Sequence, residues 1–169
     1  MGISTKSTTW VPSLIISGGQ TGADRGALIA ARSLGIPTGG FAPSNFWTEA
    51  GRDYELRDLC GLMEMNGGNY ADRTEANVGL ADAVVLICRN FESRGSLLTA
   101  SIALKLRKPI ICVPCGMSYE SEIPRVSRWL SEFEPQVLMV AGNRESVARG
   151  IEEWTVGFLC KLFREGDSL

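Results

Sequence analysis

Nine consecutive residues, Ser17-Gly18-Gly19-Gln20-Thr21-Gly22-Ala23-Asp24-Arg25, carry the densest chemistry in the chain. Gly18, Gly19 and Gly22 allow a tight turn and a close approach of backbone to ligand. Gln20 and Thr21 add side-chain donors. Asp24 is placed to cap or orient the turn, and Arg25 to neutralise an anion. A helix starting here would present unpaired N–H groups and a partial positive charge, which favour phosphate. The spacing is not the dinucleotide-binding Gly-x-Gly-x-x-Gly, and no Gly-Lys-Ser/Thr of a phosphate loop follows. The bland alternative is a capped strand-to-helix turn with no ligand.

Two later groups could complete such a site. In Arg94-Gly95-Ser96-Leu97-Leu98-Thr99 the glycine frees the backbone, Ser96 is expected to start a helix, and Thr99 lies one turn in. A second helix N-terminus facing the first would make a two-sided phosphate site, against the alternative of a plain serine cap. In Tyr70-Ala71-Asp72-Arg73-Thr74-Glu75-Ala76-Asn77-Val78, Arg73 and Asn77 share one helical face. Arginine offers a fork for phosphate, and asparagine a donor–acceptor pair for a heterocycle edge. A solvated surface helix is the alternative. Cys112-Val113-Pro114-Cys115 has the spacing of a redox pair, but no second pair exists for a zinc site and buried cysteine is common in cores. Trp47 could stack on a planar ring or simply pack.

These groups are positioned by strands and helices that alternate along the chain. Short β-branched or apolar runs at 14–16, 83–88, 110–113 and 136–140 read as buried strands, with another short strand at 37–42. Helical spacing is expected at 23–34, 74–80, 96–106 and 123–133. Asn143 is expected to cap a last helix with Val147, Ile151, Trp154, Phe158 and Leu162 on its buried face. Residues 43–70 read as an irregular connection, long enough to be functional or to hide a helix. The class this implies is α/β, a Rossmann-like three-layer fold with a mostly parallel central sheet. Ligands of such sheets sit outside the carboxyl ends of the strands, where the first two motifs fall.

The bulk composition narrows the function. The chain has 169 residues, 44% hydrophobic and 21% charged, as expected for one domain with a real core. The polar stretch 1–12 reads as a flexible arm preceding a single domain at 13–169. It lacks the apolar core of a secretory signal, and no run is long enough to span a membrane, so a cytoplasmic protein without a membrane partner is expected. A net charge of −2 gives no global footprint for nucleic acid. With no histidine and five cysteines, chemistry must rest on Asp, Glu, Arg, Cys, Tyr or backbone amides, and no directly bound structural metal is expected.

The three motifs in this order resemble the molybdenum carrier family, a Rossmann-like group related to the Lonely Guy cytokinin-activating and DNA-processing Smf proteins. The matching stretches are 16–28 and Leu34-Gly35-Ile36-Pro37-Thr38-Gly39-Gly40-Phe41-Ala42-Pro43. Glu49-Ala50-Gly51, Tyr70 with 73–78, Asp82, and Thr99 through Lys108-Pro109 follow. The resemblance implies a phosphorylated ligand: a molybdenum cofactor-like pterin phosphate, or a nucleotide, held by a carrier or sensor. The ligand-binding set is then Gly18, Gly19, Gln20, Thr21, Gly22, Asp24, Arg25, Tyr70, Arg73, Thr74, Asn77, Arg94, Gly95, Ser96 and Thr99. A homodimer or higher oligomer is expected as in related folds. The alternative is a nucleotide phosphoribohydrolase cleaving an N-glycosidic bond. That activity goes with a Pro-Gly-Gly-x-Gly-Thr-x-x-Glu loop, whereas residues 93–101 carry no glutamate, so Glu49 or Asp24 would have to substitute.

Overall fold

The structure is a computed structural model describing residues 9–164. Five strands, β1 (Leu14–Ile16), β2 (Thr38–Gly39), β7 (Ala83–Cys88), β8 (Ile110–Pro114) and β9 (Val137–Gly142), form one parallel sheet in the order β2-β1-β9-β7-β8. The last strand therefore lies at the centre. Both faces are covered, which is why the inner strands β1, β7 and β9 are apolar on consecutive residues rather than on alternate ones. Ile15, Val85, Ile87, Leu138 and Val140 point to one face, under helices α1 (Ala23–Ser33), α5 (Tyr119–Phe133) and α6 (Ile151–Arg164). Ile16, Val84, Leu86, Met139 and Ala141 point to the other, under α3 (Tyr70–Leu80) and α4 (Arg94–Lys105). The three-layer α/β expectation holds.

Several boundaries differ from the periodicity reading, each for a local reason. Asn69 accepts from the amides of Ala71 and Asp72, and Asp72 answers through the Asn69 amide, so this capping box starts α3 at Tyr70 rather than near Thr74. Ser93, not Ser96, caps α4, and Ser118 caps α5 four residues earlier than its apolar spacing suggests. The expected strand at 37–42 breaks at Gly40, where φ is 115° and a Cβ would lie 2.5 Å from the Ser17 carbonyl oxygen. The chain leaves the sheet there, and β3 (Phe41–Ala42) pairs instead with β6 (Met63–Glu64).

The 43–70 connection is thus a small ordered layer. It holds the hairpin of β4 (Trp47–Thr48) and β5 (Gly51–Arg52) and the short helix α2 (Glu55–Asp58). Its own core of Ala42, Phe46, Leu56, Cys60 and Leu62 closes on Leu28 of α1. Residues 1–8 of the expected arm lie outside the described residues. Residues 9–12 are not loose: Thr9 and Ser127 share a hydroxyl hydrogen bond of 2.7 Å, and Trp10 Nε1 donates to the Pro135 carbonyl at 3.0 Å. Among the described residues no helix is long and apolar enough to cross a membrane.

Candidate functional site

The N-termini of α1 and α4 lie on opposite faces of the sheet, and the carboxyl end of β9 runs between them. That is the crevice where a doubly wound sheet takes its ligands. The 17–22 turn stands at one side. Ser17 Oγ donates to the Val140 carbonyl at 2.8 Å, tying the turn to β9. Gly22 has φ 80°, and a Cβ there would lie 2.4 Å from the Asn143 carbonyl oxygen. That same carbonyl accepts from the Ala23 amide at 3.1 Å. Gly22 thus lets two chain segments meet, a role the anion-cradle reading did not include.

Asp24 alters the cradle more deeply. Its side chain folds back so that Oδ2 accepts from the Gln20 amide at 3.2 Å, and the residue is buried. Burial pushes its carboxyl up to about 6, against the lowering influence of Arg73, the Gln20 amide and Arg144. The anion held in the first turn is therefore the protein's own carboxylate. Arg25, expected to meet a ligand anion, points elsewhere: it pairs with Asp53, with Glu55 at 3.4 Å and with Glu152 at 3.9 Å. Those acidic partners all come from beyond residue 50, so its first-turn position misled.

Gln20 and Thr21 hold the hairpin of the 43–70 layer. Gln20 Oε1 accepts from the Glu49 amide at 3.3 Å. Thr21 Oγ1 donates to the Glu49 carboxylate, which also accepts from the amide and hydroxyl of Ser146. Burial opposes ionisation of Glu49, but the Ser146 and Thr21 hydrogen bonds prevail and hold it below the usual carboxylate range.

From α3, Arg73 is 6% exposed and its Nε has no hydrogen-bond partner. Burial lowers the proton affinity of its guanidinium, while the nearby Asp24 carboxylate raises it. Two cations lie over the Tyr70 ring, with the Arg73 and Arg144 guanidinium carbons 5.0 and 5.7 Å from its centroid. Thr74 Oγ1 donates to the Tyr70 carbonyl. Asn77 was expected to read a heterocycle edge. Its amide instead donates to the Phe41 carbonyl at 3.0 Å and accepts from the Phe41 amide at 2.8 Å, standing in for a strand partner of β3.

From α4, Arg94 and Gly95 face the crevice, and a Cβ on Gly95 would come 2.9 Å from the Tyr70 hydroxyl. Ser96 faces inward: its hydroxyl meets Cys88 Sγ at 3.0 Å and accepts from Asn143 Nδ2 at 3.0 Å. Thr99 Oγ1 donates to the Gly95 carbonyl at 3.0 Å.

The sequence reading missed the segment after β9. Asn143 was assigned as the cap of the last helix, but α6 begins only at Ile151. Asn143 Oδ1 accepts from the Arg89 and Asn90 amides at 2.8 and 2.9 Å, and Nδ2 donates to the Asn90 carbonyl and to Ser93 Oγ. It welds the β7–α4 loop to β9. Arg144 and Val147 then enter the crevice. Gly142-Asn143-Arg144 stands at the carboxyl end of a buried strand, as the Gly18 turn does, and that position was the available signal.

Two adjoining spaces result, with walls in common. A wide cleft of about 990 Å³ runs between the start of α3, the N-terminus of α4 and the β9–α6 loop, with Tyr70, Arg94, Leu97, Leu98, Arg144 and Val147 in its walls. A narrow chamber of about 20 Å³ lies behind it, bounded by Gly18, Gln20, Asp24, Arg73, Thr74, Asn77 and Thr99. Tyr70, Gly142 and Arg144 belong to both. Arg25 borders neither. Trp47 is outside them too, exposed with the Arg52 guanidinium over its ring at 5.1 Å. Cys112 is exposed while Cys115 packs in the core beneath α5 and α6, and both thiols are free. Among the described residues no group of three or more His, Cys, Asp or Glu could hold a metal ion.

Residues 15–163 match the model of the circularly permutated YpsA SLOG family. The crystal structure of a "putative molybdenum carrier protein" from Syntrophus aciditrophicus SB superposes with a TM-score of 0.83 and is 34% identical. The match covers 92% of this chain and 96% of that one. A comparison with curated proteins finds no significant match.

Proposed function

We propose, from the premise that this chain belongs to the circularly permutated YpsA SLOG family, that it binds a phosphorylated small molecule as a carrier or sensor. The ligand is a molybdenum cofactor-like pterin phosphate or a nucleotide. The observation that carries this reading is the wide cleft at the carboxyl end of the central strand, with Arg94, Arg144 and the start of α4 on its walls. Its volume suits one ring-bearing phosphate ester. Helix-start amides and arginines attract phosphate, and the apolar wall of Leu97, Leu98 and Val147 suits a ring. The neighbour's description as a molybdenum carrier supports a pterin phosphate in particular. The metal would then arrive inside the cargo.

In this reading the phosphate sits at the α4 side rather than in the 17–22 turn, because Asp24 already occupies that turn. Native mass spectrometry of the purified full chain tests it. A co-purifying mass assignable to a pterin phosphate or nucleotide is the expected result. A ligand-free protein that also shows no calorimetric binding of either class refutes it.

One observation favours catalysis instead. Asp24 borders the chamber with its carboxyl near 6, a value suited to proton transfer near neutral pH. Release of free base from AMP or CMP, abolished by Asp24→Asn, would establish the phosphoribohydrolase reading in place of the carrier.

A further inference from the structure

The narrow chamber has a chemistry of its own. A space of about 20 Å³ is the size for one water-sized group, smaller than a phosphate with its four oxygens. Its walls present two unlike groups to one point. A Cβ built on Gly18 would lie 2.9 Å from Asp24 Oδ2 and 3.8 Å from Arg73 Nε, so the absence of a side chain at residue 18 keeps that point open. An ionised carboxylate is acceptor only, and a guanidinium is donor only. Arg73 Nε is buried without a partner, a costly state that a ligand acceptor would relieve. A group entering here must therefore donate to Asp24 while its neighbour accepts from Arg73.

Resting on the phosphorylated-ligand reading above, we propose that the chamber recognises an exocyclic amino group on the ligand's ring. Asp24 accepts its N–H, and Arg73 Nε donates to the ring nitrogen or carbonyl oxygen beside it. An amino group is about the size of the one water-sized group the chamber admits. The ring then lies in the wide cleft beside Tyr70, which walls both spaces, and the phosphate reaches Arg94 and the start of α4. The ligand class is an amino-substituted nitrogen heterocycle carrying a phosphate: an aminopyrimidine, purine or pteridine, as against its oxo-only counterpart. At pH 7.5 Asp24 is ionised, since its carboxyl is pushed up only to about 6, and an oxo group brought against it would set acceptor against acceptor with no proton to share.

Matched ligand pairs on the full chain test this by calorimetry: GMP against IMP, CMP against UMP, and hydroxymethylpterin phosphate against the corresponding lumazine phosphate. Within a pair that binds, the amino member is expected to be favoured by about tenfold or more, the scale of one hydrogen bond to a charged group. Asp24→Asn removes the charge without changing volume, and Gly18→Ala fills the point. Each is expected to shrink the preference to about twofold or less. Equal affinity within every pair that binds, or a preference that survives both substitutions, overturns the inference and leaves the phosphorylated-ligand reading standing. Failure of all six compounds to bind removes both.

Discussion

Replacing Asp24 with asparagine is expected to stabilise the ligand-free protein at neutral pH, although it deletes a carboxylate beside a buried arginine. The carboxyl titrates near 3.8 when unfolded and near 6 when folded, because burial outweighs the attraction of Arg73. Between those values the folded state binds more protons than the unfolded one, so stability falls as pH rises through this window. Above about pH 6 the cost is complete. A shift of this size corresponds to about 3 kcal/mol at 1.36 kcal/mol per pH unit. Asparagine resembles the protonated acid and escapes that cost. For a chain of this length, about 3 kcal/mol is a rise in Tm of about 6–12 °C. Thermal and urea unfolding of both proteins at pH 4, 6 and 7.5 check it. The gain should be largest at pH 7.5 and fade toward pH 4. A variant less stable than the parent at pH 7.5 would refute the reasoning, showing that the Asp24–Arg73 attraction exceeds the burial cost.

Asn143→Ala removes a buried side chain that holds the loop after β7, leaving the Arg89 and Asn90 amides without their acceptor. A loss of about 2–4 kcal/mol in urea unfolding is expected from two orphaned amides. Gly22→Ala combines a φ of 80° with a Cβ only 2.4 Å from the Asn143 carbonyl oxygen. It should cost more than about 2 kcal/mol, visible as a lowered Tm or lost soluble yield. Arg144→Ala should weaken phosphate-ester binding about tenfold and flatten its salt dependence. Arg25→Ala should leave affinity unchanged and cost at most about 1 kcal/mol, since its acidic partners lie outside the crevice and the side chain is partly exposed. Calorimetry at two salt concentrations separates the two arginines.

Much of the fold was legible because the signals are local. Apolar runs of three to six residues mark strands, and the apolar periodicity after them marks helices. The family resemblance followed from the same local motifs and is matched by residues 15–163. The starts of α3, α4 and α5 were read late because their caps Asn69, Ser93 and Ser118 lie outside the apolar stripe that periodicity detects. The ordered layer at 43–70 was not legible. Its strands are two residues long, and they are held by contacts to Thr21, Gln20, Arg25 and Leu28, which no local pattern encodes.

The 17–25 motif shows the same division. Its residue types determine a glycine turn feeding a helix at the carboxyl edge of a sheet, since turn geometry and helix entry depend on neighbours in the chain. What the turn faces depends on strand order. By placing β9 between β1 and β7, the tertiary structure brings Asn143 against Gly22 and Arg144 beside Tyr70. It also buries Asp24 next to Arg73, from a helix almost fifty residues away, so the turn expected to cradle a foreign anion holds its own. Contacts at such separations follow from which surfaces bury each other, and burial is a property of the assembled sheet rather than of any one segment.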